Sequence, residues 1–296
     1  QAATMLIPFD RSAEIEWSPA WSLSDEQFRY LPSSLLYFFY KGPGWQQLPP
    51  ADSNGCAAGN TLEEAIVQGF LELVERDSYA IWWYNRLQRP EVDLSQFDDP
   101  YIRDLSIQFA ETGRRLWVLD VTSDLGIPSF VAVSHWMDGS QEQIEFGSGA
   151  HFDARIAMLR ALTELNQFLS IGLVGCRSAG KLWNQTGSSE MRLEDHPYLA
   201  SSGIVRPTLE SNFSHLDSRE QVITCVQLAK QVDLDFLVLD QTRPDIQVPV
   251  VRVIVPGLRH FYRRFAPGRL YEVPLKLGLR GRPLPEDELN PLHPRT

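Results

Sequence analysis

At 296 residues with 43% hydrophobic side chains, the chain can bury a sizeable core in one large domain or two small ones. Its formal net charge of -11 excludes the nucleic-acid backbone and an anionic membrane as main partners, and any phosphate ligand would need a metal ion. Three cysteines (Cys56, Cys176, Cys225) without a C-x-x-C pair fit a reducing, cytoplasmic setting. There is no signal peptide, no apolar run near the roughly 18 residues of a membrane helix, and no zinc-type spacing among the six histidines.

In chain order, residues 1–50 read as an irregular opening segment, rich in Trp and Pro from Trp17 to Trp45. A helix is expected from about Thr61 into the 80s. A second runs from Pro100 to about Thr112, with Ile102, Leu105 and Phe109 on one face. "LWVLD" (Leu116 to Asp120), "PSFVAVS" (Pro128 to Ser134) and "QIEFG" read as strands. Further helices are expected from Asp153 to about Ser170 and from Ser218 to Gln231. "FLVLD" and "VPVVRVIV" follow as strands before a Pro-rich tail at 280–296. The order of elements makes the fold class mixed α/β.

Two stretches repeat. "LWVLDVTSDLGIPSFVAV" and "FLVLDQTRPDIQVPVVRV" share Val-Leu-Asp-x-Thr, a further Asp, then Pro and a β-branched run, and each follows an expected helix. "GCAAGNTLEEAIVQGFLELVE" resembles "GSGAHFDARIAMLRALTELNQ", with Glu72 falling on Glu164, Gln68 on Arg160 and Glu75 on Gln167. Two copies are too few for a solenoid, so the reading is a single domain over 1–296 built from related helix-strand-turn-strand halves. Shared amphipathic composition would explain the helix pair alone equally well.

The Thr61 helix is unusually acidic. At roughly 100° per residue, Glu64, Gln68, Glu72 and Glu75 fall at about 0, 40, 80 and 20°, with Arg76 at the edge of that sector. Ile66, Phe70, Leu73 and Val74 take the opposite side. A solvated polar face is the ordinary explanation, and Thr61-x-x-Glu64 also fits a capping box. A solvated face, however, usually alternates sign through i,i+4 pairs, whereas this one stacks like charges without a lysine. A compensating cation is expected, and Mg2+ carrying a nucleotide suits oxygen ligands of this kind.

The run Ser53-Asn54-Gly55-x-x-Ala58-Gly59-Asn60-Thr61, followed by Glu64-x-x-x-Gln68 and Glu72-x-x-Glu75-Arg76, resembles the second signature of the YcaO family. The resemblance continues through "WSPAWSL", "LWVLDVTSDLGIP", "ALTELNQ" and "RVIVPGLRH", and is closest to the streptolysin-type (SagD-like) branch. It implies a YcaO-like domain with helices packed on mixed sheets. It also implies ATP- and Mg2+-dependent activation of backbone amides in a ribosomally made precursor peptide, closing Cys, Ser or Thr into thiazoline or oxazoline rings in bacteriocin-type maturation. By motif, Glu64, Gln68, Glu72, Glu75, Arg76, Arg160 and Glu164 would bind the Mg-nucleotide, with Glu75 and Glu164 as metal ligands. The implied partners are the precursor peptide and an E1-like, leader-binding protein, with a homodimer also compatible.

The sequence departs from the family pattern at Ala57, where a serine is usual seven residues before the first glutamate. The family's earlier Ser-x-x-x-Glu-x-x-Glu-Arg signature and upstream lysine are not found, so the chain is expected to be the C-terminal part of a longer protein holding part of the ATP site. The terminal "NPLHPRT" keeps only Pro291 and Pro294 of the family's Pro-x-Pro-x-Pro tail. These departures leave a non-catalytic docking scaffold as the alternative function, and thioamide formation as a variant of the chemistry. "GCRSAGKL" (Gly175 to Leu182) matches the start of a P-loop, but Leu182 stands where Ser or Thr should hold Mg2+ and the run follows a helix, so Lys181 reads as a chance match.

Overall fold

A computed structural model describes residues 10–139, 141–178, 191–206, 213 and 215–294. Lys181 and the end of the P-loop-like run lie outside them. The elements are β1 (Trp17–Ser22), β2 (Gln27–Pro32), a short α1 (Ser33–Leu36), β3 (Cys56–Ala58), α2 (Leu62–Asn85), β4 (Arg89–Val92), α3 (Pro100–Glu111), β5 (Arg115–Asp120), β6 (Ser129–Asp138) and β7 (Gln141–Ala150). They continue with α4 (Ala154–Ser178), β8 (Ser201–Arg206), α5 (Ser218–Gln231), β9 (Leu237–Asp240), β10 (Val250–Ile254) and α6 (Arg269–Lys276). The fold is mixed α/β, as expected. Two strands, β1 and β2, lie within the opening stretch read as irregular, and α6 was not expected from the sequence. No described helix is long and apolar enough to cross a membrane.

Local chemistry explains the helix starts. The Asp99 side chain accepts the Tyr101 and Ile102 N–H groups, and Pro100 takes the first turn of α3, where its missing N–H costs nothing. Asp217 and Glu220 form a reciprocal capping box on α5.

The chain divides into two compact units, Gln1–Leu73 with Leu216–Pro256, and Val74–His215 with Gly257–Thr296. The first holds a five-stranded sheet in the order β2-β1-β9-β10-β3. Its pairings are antiparallel, and Phe70 of α2 packs on Phe236 at 5.2 Å between ring centroids. The second holds a sheet in the order β7-β6-β5-β4-β8, antiparallel except for β4 with β8. Alternation along its strands sends Trp117, Leu119, Val131, Val133, Ile144 and Phe146 to a core shared with Tyr79–Tyr84 of α2. Val118, Phe130 and Ala132 go to a core shared with α3 and α4. The "YAIWWY" stretch of α2 is buried all round, which suits a central helix.

The strand repeat is a structural one. Asp120 accepts the Thr122 N–H at 2.9 Å, and the Thr122 hydroxyl accepts the Ser129 N–H at 3.1 Å. In the first unit, Asp240 accepts the Thr242 N–H at 2.9 Å, and the Thr242 hydroxyl accepts the Val250 N–H at 3.1 Å. The shared Asp-x-Thr therefore builds the same turn twice, each joining an antiparallel strand pair.

Candidate functional site

In the second unit, α4 packs on β7 almost backbone to backbone. A Cβ at Gly147 would stand 2.2 Å from the Leu165 nitrogen, and one at Gly149 would stand 2.4 Å from the Ala157 oxygen, so neither position has room for a side chain. Between these glycines lies Ser148, on an edge strand whose outward N–H groups need partners. Glu164 of α4 accepts both the Ser148 N–H and, at 3.0 Å, its hydroxyl; the same hydroxyl lies 2.7 Å from the Glu75 carboxylate of α2. Two carboxylates from two helices thus meet on one buried serine. Burial first, and the Glu75 charge second, raise the Glu164 carboxyl above its ordinary value, while the Ser148 N–H and Arg76 oppose them.

Two arginines belong to this cluster. Arg160 donates to the Ala150 carbonyl at 3.1 Å; burial lowers its pKa, and the Glu75 charge opposes that shift. Arg76 stands 3.9 Å from Glu75, with side-chain exposures of 18% and 13%, too little for an ordinary solvated pair. Its guanidinium carbon lies 3.8 Å from the centre of the Phe261 ring. Next along α2, fully buried Asp77 accepts from Arg269 Nη2 at 2.6 Å and from the Arg259 N–H at 2.8 Å. Arg269 reaches on to Asp124 at 2.7 Å, and Lys276 to the same carboxylate at 2.9 Å. Burial works to raise Asp124, but these two cations hold it below the usual carboxylate range.

The other motif residues lie on the α2 turns of the first unit. Glu64 accepts the Asn60 N–H and side-chain amide, both at 2.9 Å, while its own N–H donates to Thr61 Oγ1 at 3.1 Å. That is half a capping box, with the carboxylate reaching one residue beyond the cap. Glu72 accepts the Gly55 N–H at 3.3 Å, much as its repeat counterpart Glu164 accepts that of Ser148. Glu64, Gln68, Glu72 and Glu75 are all half-buried, so the acidic face is not a freely solvated one. Ser148, Asp77 and Arg269 were not singled out from the sequence. The signal available for Ser148 was its place between two glycines at the end of a strand and just before a helix.

Among the described residues no group of three or more His, Cys, Asp and Glu side chains is arranged for a metal ion. The donor set is instead a carboxylate pair with adjoining arginines. It fits Mg2+ arriving with a nucleotide, because Mg2+ takes one or two carboxylates and fills its shell with phosphate and water oxygens.

A family model described as YcaO cyclodehydratase, ATP- and Mg2+-binding, matches residues 1–259. The chain belongs to the YcaO family. ATP and Mg2+ are therefore its cofactors. Among solved structures, the YcaO chain is similar to a heterocyclase in complex with substrate and cofactor, at 49% identity and a TM-score of 0.89, over 96% of this chain and 38% of that one. The heterocyclase TruD matches at 48% identity and a TM-score of 0.82, over 95% and 39%. An uncharacterized protein of Methanothermobacter thermautotrophicus is 32% identical over 85% of this YcaO chain and 67% of its own length. The chain thus spans well under half of the two heterocyclases it resembles.

Proposed function

We propose that this chain carries part of the Mg-ATP site of an azoline-forming cyclodehydratase acting on a ribosomally made precursor peptide in the cytoplasm. The observation that carries the reading is the meeting of Glu75 and Glu164 on Ser148. Glu75 and Glu164 would hold Mg2+, relieving the repulsion between two close, half-buried carboxylates. Arg76 and Arg160 would donate to phosphate oxygens. By motif, Glu64, Gln68 and Glu72 are assigned to nucleotide binding as well. The similarity to a heterocyclase solved in complex with substrate and cofactor supports a heterocycle-forming reaction that uses a cofactor.

The chemistry asks for no nucleophile from the protein. The substrate's own Cys, Ser or Thr side chain attacks the preceding backbone carbonyl, and Mg-ATP supplies the phosphoryl group with which the amide oxygen leaves. The protein's part is to hold the reacting groups together and neutralise charge, a contribution of position and electrostatics. An E1-like protein that binds the leader peptide, and a homodimer, are the proposed partners.

A non-catalytic scaffold is favoured by one observation, Ala57 in place of the family's serine. Phosphate release with magnesium, ATP and precursor peptide, measured on the full-length protein, separates the two. Turnover that Glu164→Gln abolishes supports the enzyme. Peptide binding without any ATP turnover supports the scaffold. Sulfur incorporation with external sulfide would mark thioamide chemistry.

A further inference from the structure

We propose that Asp77 and Phe261 are positioning residues that hold the Arg76 guanidinium in place for phosphate recognition. The inference rests on the nucleotide site proposed above and adds the device that orients its arginine.

The segment Gly257–Phe261 is laced to α2 at three points. The Arg259 N–H donates to Asp77 at 2.8 Å. The Tyr84 hydroxyl donates to the Phe261 carbonyl. The Tyr79 and Phe261 rings meet edge to face at 5.1 Å. Phe261 is 5% exposed, so this lacing presses its ring into the core, with one face beneath Arg76. Asp77 is 0% exposed and is itself locked by two Arg269 nitrogens, Nε at 3.0 Å and Nη2 at 2.6 Å. A buried carboxylate needs such partners. Here one of them is the backbone of the segment that delivers the aromatic ring.

The chemistry of the arrangement follows from the shape of guanidinium. Stacking on an aromatic ring uses the face of its plane, whereas hydrogen bonds to phosphate are donated in the plane, from its edge. A ring beneath Arg76 therefore fixes the direction of the donor fork without competing for it. A flexible arginine would have to be ordered on each binding event, which weakens affinity. Asp77 acts one step further back, by holding the segment that holds the ring.

The test uses the full-length protein with Phe261→Leu, Phe261→Tyr, Asp77→Asn and Arg76→Ala. Two readouts are taken: Mg-ATP affinity by calorimetry, and the Arg76 Nε–H resonance, which a stacked ring displaces. F261L should weaken Mg-ATP binding about tenfold, between the size of an exposed and of a fully desolvated cation–π contact. It should also lose the ring-current displacement, and F261Y should restore both. In the R76A background F261L should cost nothing further, because the two act as one unit. D77N should move the Arg76 resonance in a protein that still unfolds cooperatively. The proposal is overturned if the Arg76 resonance is unchanged by F261L, or if the F261L and R76A losses simply add. A parent that shows the displaced resonance but binds no Mg-ATP would sink the proposed function while leaving the Arg76–Phe261 contact established.

Discussion

Ser148 has one hydroxyl proton and two carboxylates within reach of it, so Glu75 and Glu164 compete for a single donor. This gives Glu164 a signed pH dependence. Its folded pKa is raised, so the folded state binds the proton more tightly than the unfolded one. The resulting stability is fully present below the unfolded value and is lost as pH rises through the folded one. Urea unfolding of the metal-free protein from about pH 4 to about pH 8 should therefore show a loss of stability that Glu164→Gln removes. Identical pH slopes in the two proteins would contradict the crowded-carboxylate account. At this scale the acidic side chains were legible because their spacing and repeat alignment pointed to them. Ser148 was not, because its importance comes from which strand edge it occupies. Asp77 and Arg269 were not legible either, being far apart in sequence and joined only by folding.

Helices α2 and α4 place the site, and the glycines of β7 set the distance between α4 and the sheet. Gly147→Ala should destabilise the protein by about 1–3 kcal/mol, the usual cost of overpacking, and should weaken Mg-ATP binding by moving Glu164. Gly281→Ala, where a Cβ meets nothing, is the control and should do neither. Chemical denaturation with parallel ATP titration checks both. At the junction of β7 and α4, burial and then the Arg160 charge push the His151 imidazole down to about 4. Its stabilising contribution is present above the ordinary value of 6.5 and lost as pH falls through about 4, so His151→Gln should flatten the acid limb of the stability profile. An unchanged acid limb would mean that His151 is solvated. The long helices and the strands β5, β6, β7, β9 and β10 were legible from periodicity, whereas the short β3, β4 and β8 were not read. The first two strands were not, because Trp17, Trp21, Phe28 and Tyr30 are exposed and a half-exposed aromatic strand gives no clean polar alternation.

At the scale of the whole molecule, the chain carries two related strand-turn-strand units, one in each compact unit, closed by the same Asp-x-Thr turn. The turn chemistry made this repeat visible in the sequence. A net charge of -11 would repel ATP from most of the surface, so nucleotide binding requires magnesium and a local arginine set. The proposed site is tested most directly by calorimetric titration of Mg-ATP into the full-length protein and its Glu75→Gln and Lys181→Ala variants. Glu75→Gln should abolish magnesium-dependent binding with little loss of stability, since a neutral amide relieves crowding yet can still accept from Ser148. Lys181→Ala should bind as the parent does. Loss of binding in Lys181→Ala, with binding kept in Glu75→Gln, would contradict the account and move the nucleotide to the P-loop-like run.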